Sequence, residues 1–298
     1  MPIRVQKIKV TNAPFPGTDA GMSIPAQVAR FLAMSLEEDL GPGDITSGLL
    51  LGRQRSKAIF VAKSGCVAAG LPFAREVFRL VDGETVFRPL AKEGFTVKKG
   101  GLLAEITGRT ASLLAAERVS LNVIQHLCGI ATLTRSYVDA IKGLSSRIVD
   151  TRKTMPSMRY MEKYAVRMGG GGNHRFGLYD GILIKDNHIK AAGGIKKAVE
   201  LAKKGGMHHL LKIEIEVEDL KGVREALDAG ADVIMLDNMS VPMMERAVKL
   251  CNKRVLIEAS GNVTLENVRD IAQTGVDLIS SGSITHSAPA ADISMRIV

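Results

Sequence analysis

Apolar positions recur at helical spacing over AQVARFLAMSLEEDL (26–40), where Val28, Phe31, Leu32, Met34 and Leu36 supply the stripe, and the GPGD that follows ends it. KAIFVAK (57–63), TVFRPLA (85–91) and LLAEITG (102–108) are dense in β-branched and apolar residues and predict strands. GLPFAREVFRLVDG (70–83) predicts a helix between two of them, closed by Gly83. Strands and helices in this mixed order predict a small α+β domain over 23–118, after a tail of residues 1–22. From Ala111 to Gly143 the pattern is that of a long helix, which Gly129 interrupts or bends. Beyond it six short apolar runs follow: RIVD, GILIKD, LLKIEIEVE, ADVIMLDN, VLIEASGN and DLISSGS. Helical stretches such as LKGVREALDAG, PMMERAVKL and LENVRDIAQTG separate the last four. Repeated βα units predict a parallel sheet closing into an α/β barrel over 119–286. A doubly wound open sheet is the alternative, weakened by the absence of a GxGxxG fingerprint at the first unit.

Composition narrows the partners. The chain has 298 residues, 46% of them hydrophobic, which supports a sizeable core, and a formal net charge of +9. The lysines and arginines form no dense block, and aromatics are 4% with no Trp, so a nucleic-acid stacking platform is not expected. Cys66, Cys128 and Cys251 are far apart without a Cys-x-x-Cys pair, which excludes a disulfide scaffold or zinc knuckle and fits a reducing cytoplasm. The first seventeen residues lack the apolar core of a signal peptide, and no stretch is apolar enough to span a bilayer. The expectation is a cytoplasmic protein with no membrane partner.

The strand-like runs each end in polar groups: Asp150 with Arg152 and Lys153, then Lys185, Glu216, Asp237, Ser260 and Ser281. In α/β barrels that end carries the active face. Arg152, Lys153, His174, Arg175 and Lys185 describe a pocket for a polyanion, with arginine suited to bidentate carboxylate or phosphate. Glu216 and Asp237 beside a polyanion suggest Mg²⁺ on phosphates, or stabilisation of positive charge developing on a sugar carbon. Alternation puts Glu214, Glu216 and Glu218 on one face, and for Glu214 and Glu218 a structural or solvated role is expected. Ser260-Gly261-Asn262 and Ser281-Gly282-Ser283, with His286 just beyond, predict a phosphate cradle after the last two strands. The run Gly169–Gly172 is expected to let backbone approach a ligand. Asn187 and His188 suit a turn or cap as well as a ligand contact, and His126, His208 and His209 have no supporting motif.

Five blocks then carry a resemblance: EEDLGPGDITS, AERVSLNVIQHLCGIAT, the stretch from DTRKTMPSMRY to GILIKDNHI, EIEVEDL with IMLDN, and EASGNVTLENVRDIAQTGVDLISSGSITHSAPAADIS. In this order, from about Met22 to the C-terminus, they resemble the quinolinate phosphoribosyltransferase family. The resemblance implies an N-terminal α+β sandwich domain plus an incomplete α/β barrel, with residues 287–298 packing back on the first domain. It also implies a homodimer or larger assembly whose sites are completed by Arg118 from the neighbouring subunit. For Arg118 the sequence by itself suggests only a helix-surface arginine. By the same resemblance Thr151, Arg152, Lys153, His174, Arg175 and Lys185 bind substrate, with Glu216 and Asp237 central. The two Ser-Gly turns and His286 hold phosphate. Asn262 departs from a common Gly, but Asn tolerates left-handed turns.

The implied reaction is that of a pentosyltransferase: quinolinate, phosphoribosyl pyrophosphate and Mg²⁺ giving nicotinate mononucleotide, pyrophosphate and carbon dioxide. Lys153, Lys185, Glu216 and Asp237 are the expected catalytic set. Rivals are the related molybdenum-transport-associated protein, which shares a TRKT-like segment but not the NHR and LIKDNH stretches; a Schiff-base aldolase using Lys153 or Lys185, which nearby carboxylates oppose; and a basic nucleic-acid-binding protein.

Overall fold

The computed structural model describes residues 23–206 and 209–298; the expected tail of residues 1–22, and His208, lie outside them. The first part runs α1 (Ala26–Leu40), α2 (Ile45–Leu50), β1 (Arg55–Ala62), β2 (Cys66–Val67), α3 (Leu71–Val81), β3 (Val86–Pro89), β4 (Thr96–Val97) and β5 (Leu102–Arg109). Val28, Leu32 and Leu36, at i, i+4 and i+8, are the buried stripe of α1, whereas Met34 points to solvent. Helix α3 ends a residue or two before the predicted glycine. Asp82, in extended backbone, is its cap, and Gly83 takes no left-handed conformation.

Helix α4 (Thr110–Ala140) then runs unbroken for 31 residues, roughly 46 Å at the usual rise, and packs against both parts of the molecule. Gly129 neither interrupts nor bends it into two. A Cβ there would lie 2.1 Å from the Pro289 carbonyl oxygen, so the glycine is a seat for the C-terminal segment crossing the helix.

The second part continues β6 (Arg147–Val149), α5 (Arg159–Met168), β7 (Ile182–Ile184), α6 (Asp186–Ala192), α7 (Ile195–Lys204), β8 (Ile213–Val217), α8 (Leu220–Ala229), β9 (Val233–Asp237), α9 (Val241–Cys251), β10 (Leu256–Ser260), α10 (Val268–Gln273), β11 (Leu278–Ser280) and α11 (Ser283–His286). Its six strands form one parallel sheet in the order β6-β11-β10-β9-β8-β7. Among the described residues β6 and β7 do not pair with each other. Instead Gly172 bridges Val149 at the free edge of β6, so the barrel is incomplete. The last strand, β12 (Ile293–Ile297), returns to the first part and pairs antiparallel with β1, giving a sheet ordered β12-β1-β5-β3.

Candidate active site

Register sorts the barrel residues into two faces. Ile213, Ile215, Val217, Ile234, Leu236, Ile257, Ala259 and Ile279 face outward and are buried beneath the helices. The alternate positions face inward: Leu183 and Lys185, Glu214 and Glu216, Met235 and Asp237, Glu258 and Ser260, and Ser280. Their C-terminal ends open into a cavity of about 600 Å³, lined also by Thr151, Arg152, Lys153, His174, Arg175, Gly261, Asn262, Ser281, Gly282, Ser283 and His286. Every residue assigned to the substrate or catalytic set is therefore brought together here except Arg118, which is exposed on α4 and does not line this cavity.

The cationic side is held from behind. The Lys163 ammonium on α5 is buried, bonds the Asp150 carboxylate and donates to the His174 carbonyl at 3.0 Å. Asp150 also accepts from the His174 amide (2.9 Å) and from Asn173 Nδ2 (2.6 Å), so this knot fixes the backbone that carries His174 and Arg175. Burial pushes the Asp150 carboxyl up and the Lys163 ammonium down, each resisted by the other's charge. Arg159 donates to Thr154 Oγ1 and to the carbonyls of Arg152 and Phe176, tying the two cationic loops together. Within the pocket, Arg152, Lys153 and Arg175 have no carboxylate within ion-pair distance among the described residues. Burial, then the charge of Arg152, lowers the Arg175 pKa, so an anion is the missing counter-charge. Lys185 reaches Glu216 at 3.3 Å.

Glu214 is not solvated. It is buried, and its Oε2 lies 3.0 Å from His174 Nε2, with Glu258 Oε2 at 3.6 Å from the same nitrogen. Glu218 is exposed, as expected. His174 Nδ1 accepts from the Arg175 amide at 2.7 Å, so both ring nitrogens are engaged. Burial works against a second proton on His174, but Glu214 and Glu258 outweigh it and hold its pKa above the usual value. That proton would enter at Nδ1, so a charged ring comes only with loss of the Arg175 hydrogen bond.

The opposite wall is the pair of small-residue turns. Gly261 has φ +88°, and a Cβ there would meet Asn238 Oδ1 at 2.2 Å. Asn262 takes the left-handed conformation at φ +50° and donates to Asn238 Oδ1 (2.9 Å), so Asn at this position is accommodated. A Cβ on Gly282 would press on Lys153 and His286. Ser281 and Ser283 hydroxyls bond each other at 2.7 Å.

Other nominations fall elsewhere. The Gly169–Gly172 run contacts no ligand space. Cβ atoms on Gly169 and Gly171 would strike α4 and α5, and one on Gly172 would strike Arg147, so these glycines serve close packing. His188 caps α6 by accepting from the Lys185 amide (3.0 Å), and His126 bonds buried Glu162 (2.9 Å). His209 is exposed and contacts the Gly206 carbonyl. Sequence reasoning missed Lys163, Arg159, Asn238 and Glu258. For Glu258 a signal existed: an acid in the middle of the apolar run VLIEAS, two positions before Ser260 and so on its face.

The chain is similar to known proteins along nearly its whole length. The model of the N-terminal domain of quinolinate phosphoribosyl transferase matches residues 44–128, and that of its C-terminal domain matches 130–296. The chain is 46% identical over 299 aligned positions to a probable nicotinate-nucleotide pyrophosphorylase (carboxylating) of Synechocystis, covering 99% of both. It is 46% identical to the Bacillus subtilis protein described in the same words, covering 91% of this chain and 93% of that one. The solved nicotinate-nucleotide pyrophosphorylase of Francisella tularensis superimposes with a TM-score of 0.89 at 40% identity, covering 93% and 98%.

Proposed function

The chain belongs to the quinolinate phosphoribosyltransferase family, and from that premise we infer how the barrel-mouth pocket carries out the family's reaction. The protein transfers the phosphoribosyl group of phosphoribosyl pyrophosphate to quinolinate with decarboxylation, giving nicotinate mononucleotide for NAD synthesis. The observation that carries the reading is the set of three cations without carboxylate partners, Arg152, Lys153 and Arg175, facing two Ser-Gly turns across one cavity. Arg152 and Arg175 take the two carboxylates of quinolinate by forked hydrogen bonds, with His174 holding the Arg175 backbone and Thr151 at the rim. The 5-phosphate lies on Ser260–Asn262 and Ser281–Ser283, next to His286, and Lys153 supplies a compact charge to the donor's anionic groups.

Glu216 and Asp237 stand at neighbouring strand ends, and their hard oxygen donors fit Mg²⁺ arriving with the diphosphate. When bound, that ion neutralises the leaving pyrophosphate. Glu216 and Asp237 also face the anomeric carbon, where positive charge develops as the ring nitrogen displaces pyrophosphate. Lys185, held by Glu216, covers the same edge. The pocket positions the pair and excludes water. The pyridinium nitrogen then draws electrons from the adjacent carboxylate, carbon dioxide leaves, and the carbanion takes a proton.

Arg118, exposed and outside its own cavity, completes the site of a second copy in a homodimer or larger assembly. Among the described residues the three cysteines are free thiols and no helix is long and apolar enough to cross a membrane; a cytoplasmic location is part of this proposal. The test is formation of nicotinate mononucleotide from quinolinate, with and without phosphoribosyl pyrophosphate and Mg²⁺. Folded protein that gives no product with both present refutes the reading.

A further inference from the structure

Beneath the cationic loops lies a buried carboxyl that competes with a second one for donors. Glu258, on the inner face of β10, is fully buried; neither of its oxygens makes a hydrogen bond of good geometry among the described residues, and the buried Ser280 hydroxyl and the Glu214 carboxyl are the groups that bear on it. Glu214 Oε1 is likewise unpartnered. Glu214, Glu258 and His174 each bring an atom to within 4.8 Å of the other two. The His174 ring offers one hydrogen, on Nε2, and Glu214 stands nearer to it than Glu258 does. Its other nitrogen is an acceptor for the Arg175 amide. The Ser280 hydroxyl favours the charged form of Glu258, but it is outweighed: two ionised carboxylates buried this close, sharing one histidine hydrogen, are strongly disfavoured.

We propose that Glu258 is a positioning residue for the dicarboxylate: held as the un-ionised acid, it donates to Glu214, steadies His174 and Arg175, and keeps one negative charge rather than two beneath the substrate. The proposal rests on quinolinate binding at this pocket.

The groups facing Glu258 are consistent with this. Glu214 comes from β8, His174 from the loop after α5, Ser280 from β11 and apolar Met235 from β9. Lys163 of α5 acts on His174, but its ammonium is committed to Asp150. Burial, then the charge of Glu214, pushes the Glu258 pKa up to about 7. Rising pH thus ionises Glu258 near neutrality and adds repulsion under the quinolinate carboxylates. A divalent cation at the same three ligands is disfavoured by Arg152 and Arg175 immediately above.

The experiment compares the full-length enzyme with Glu258→Gln and Glu258→Ala across pH 6 to 9, measuring KM separately for quinolinate and for phosphoribosyl pyrophosphate. The wild-type quinolinate KM is expected to rise severalfold above neutrality. Gln keeps a donor and cannot ionise, so it should hold the wild-type acid-side KM and flatten the rise. Ala should give a quinolinate KM about tenfold above the wild-type acid-side value and flat with pH, leaving that for phosphoribosyl pyrophosphate in place. A rise that persists in Glu258→Gln, or a Gln variant as impaired as Ala, overturns the proposal.

A second readout is independent of turnover. Carboxyl ¹³C NMR of glutamate-labelled free protein should show a resonance that titrates near neutrality and is missing in Glu258→Gln. Its absence from the wild type, or a stoichiometric divalent metal at these three residues, also overturns the proposal. If the wild-type protein makes no nicotinate mononucleotide, the assignment of function fails while this resonance still reports on Glu258.

Discussion

The buried Lys163 ammonium donates to the His174 carbonyl oxygen at 3.0 Å, and the Asp150 it neutralises accepts from the His174 amide at 2.9 Å. One ion pair thus clamps both polar backbone groups of a pocket residue. Lys163→Met should cost about 3–5 kcal/mol in urea unfolding, because Asp150 is left charged and buried. Adding Asp150→Leu should recover part of that stability but not quinolinate affinity, since the His174 amide then has no acceptor. Recovery of both would show that the knot only stabilises the fold.

Arg152 lines the cavity with no carboxylate partner and with its Nε unsatisfied. Arg152→Ala should abolish measurable turnover, and Arg152→Lys should restore little, because a point charge does not reproduce bidentate geometry. Near-normal kcat/KM in Arg152→Ala would remove Arg152 from the site.

What was legible in the sequence follows from which forces are local. The ends of apolar runs marked Lys185, Glu216, Asp237 and Ser260, and alternation put Glu214 and Glu216 on one face, without any tertiary information, because the period is a property of the backbone. Gly129 was misread because its reason lies 160 positions away in the chain, at the Pro289 carbonyl. The Gly169–Gly172 run was misread likewise: its neighbours are α4 and α5 rather than ligand space. Lys163, on a helix, pairs with Asp150 just beyond a strand, and nothing in YMEKYAV marks its lysine as turned inward. Arg118 is the converse. Its local pattern is that of a surface helix and remains so in the structure; the task proposed for it rests on the family resemblance.

Gly129→Ala provides a sign test. In an ordinary helix interior this change stabilises, by roughly 0.5–1 kcal/mol. Here the added Cβ would meet backbone at 2.1 Å, which cannot yield as a side-chain tip would. The variant should therefore be destabilised by about 1–3 kcal/mol or more. Hydrogen exchange should rise in β12 and in its partner β1, whose pairing depends on the route of the C-terminal segment over α4.

Asp82 gives the first part of the molecule a pH-dependent component. Hydrogen bonds from Arg109, then from the Glu84 amide and Ser112, hold its carboxyl well below the usual carboxylate range. A depressed folded-state pKa contributes stability that is fully present above about pH 4 and fades as pH falls below it. Asp82→Asn should accordingly lower Tm at pH 7, with the difference from wild type shrinking towards pH 3. A constant difference across that range would mean that packing, not ionisation, carries the effect.

The ownership of Arg118 can be decided by mixing two inactive variants. If Arg118 enters the neighbouring site, a dimer of one Arg118→Ala protomer and one Arg152→Ala protomer has one intact site. There the first protomer's own Arg152 meets Arg118 from the second. The other site lacks both residues. Random reassortment makes half the dimers mixed, so about a quarter of all sites, and of wild-type activity, should return. If Arg118 instead serves its own subunit, each mixed dimer has one site without Arg118 and one without Arg152, and mixing restores nothing.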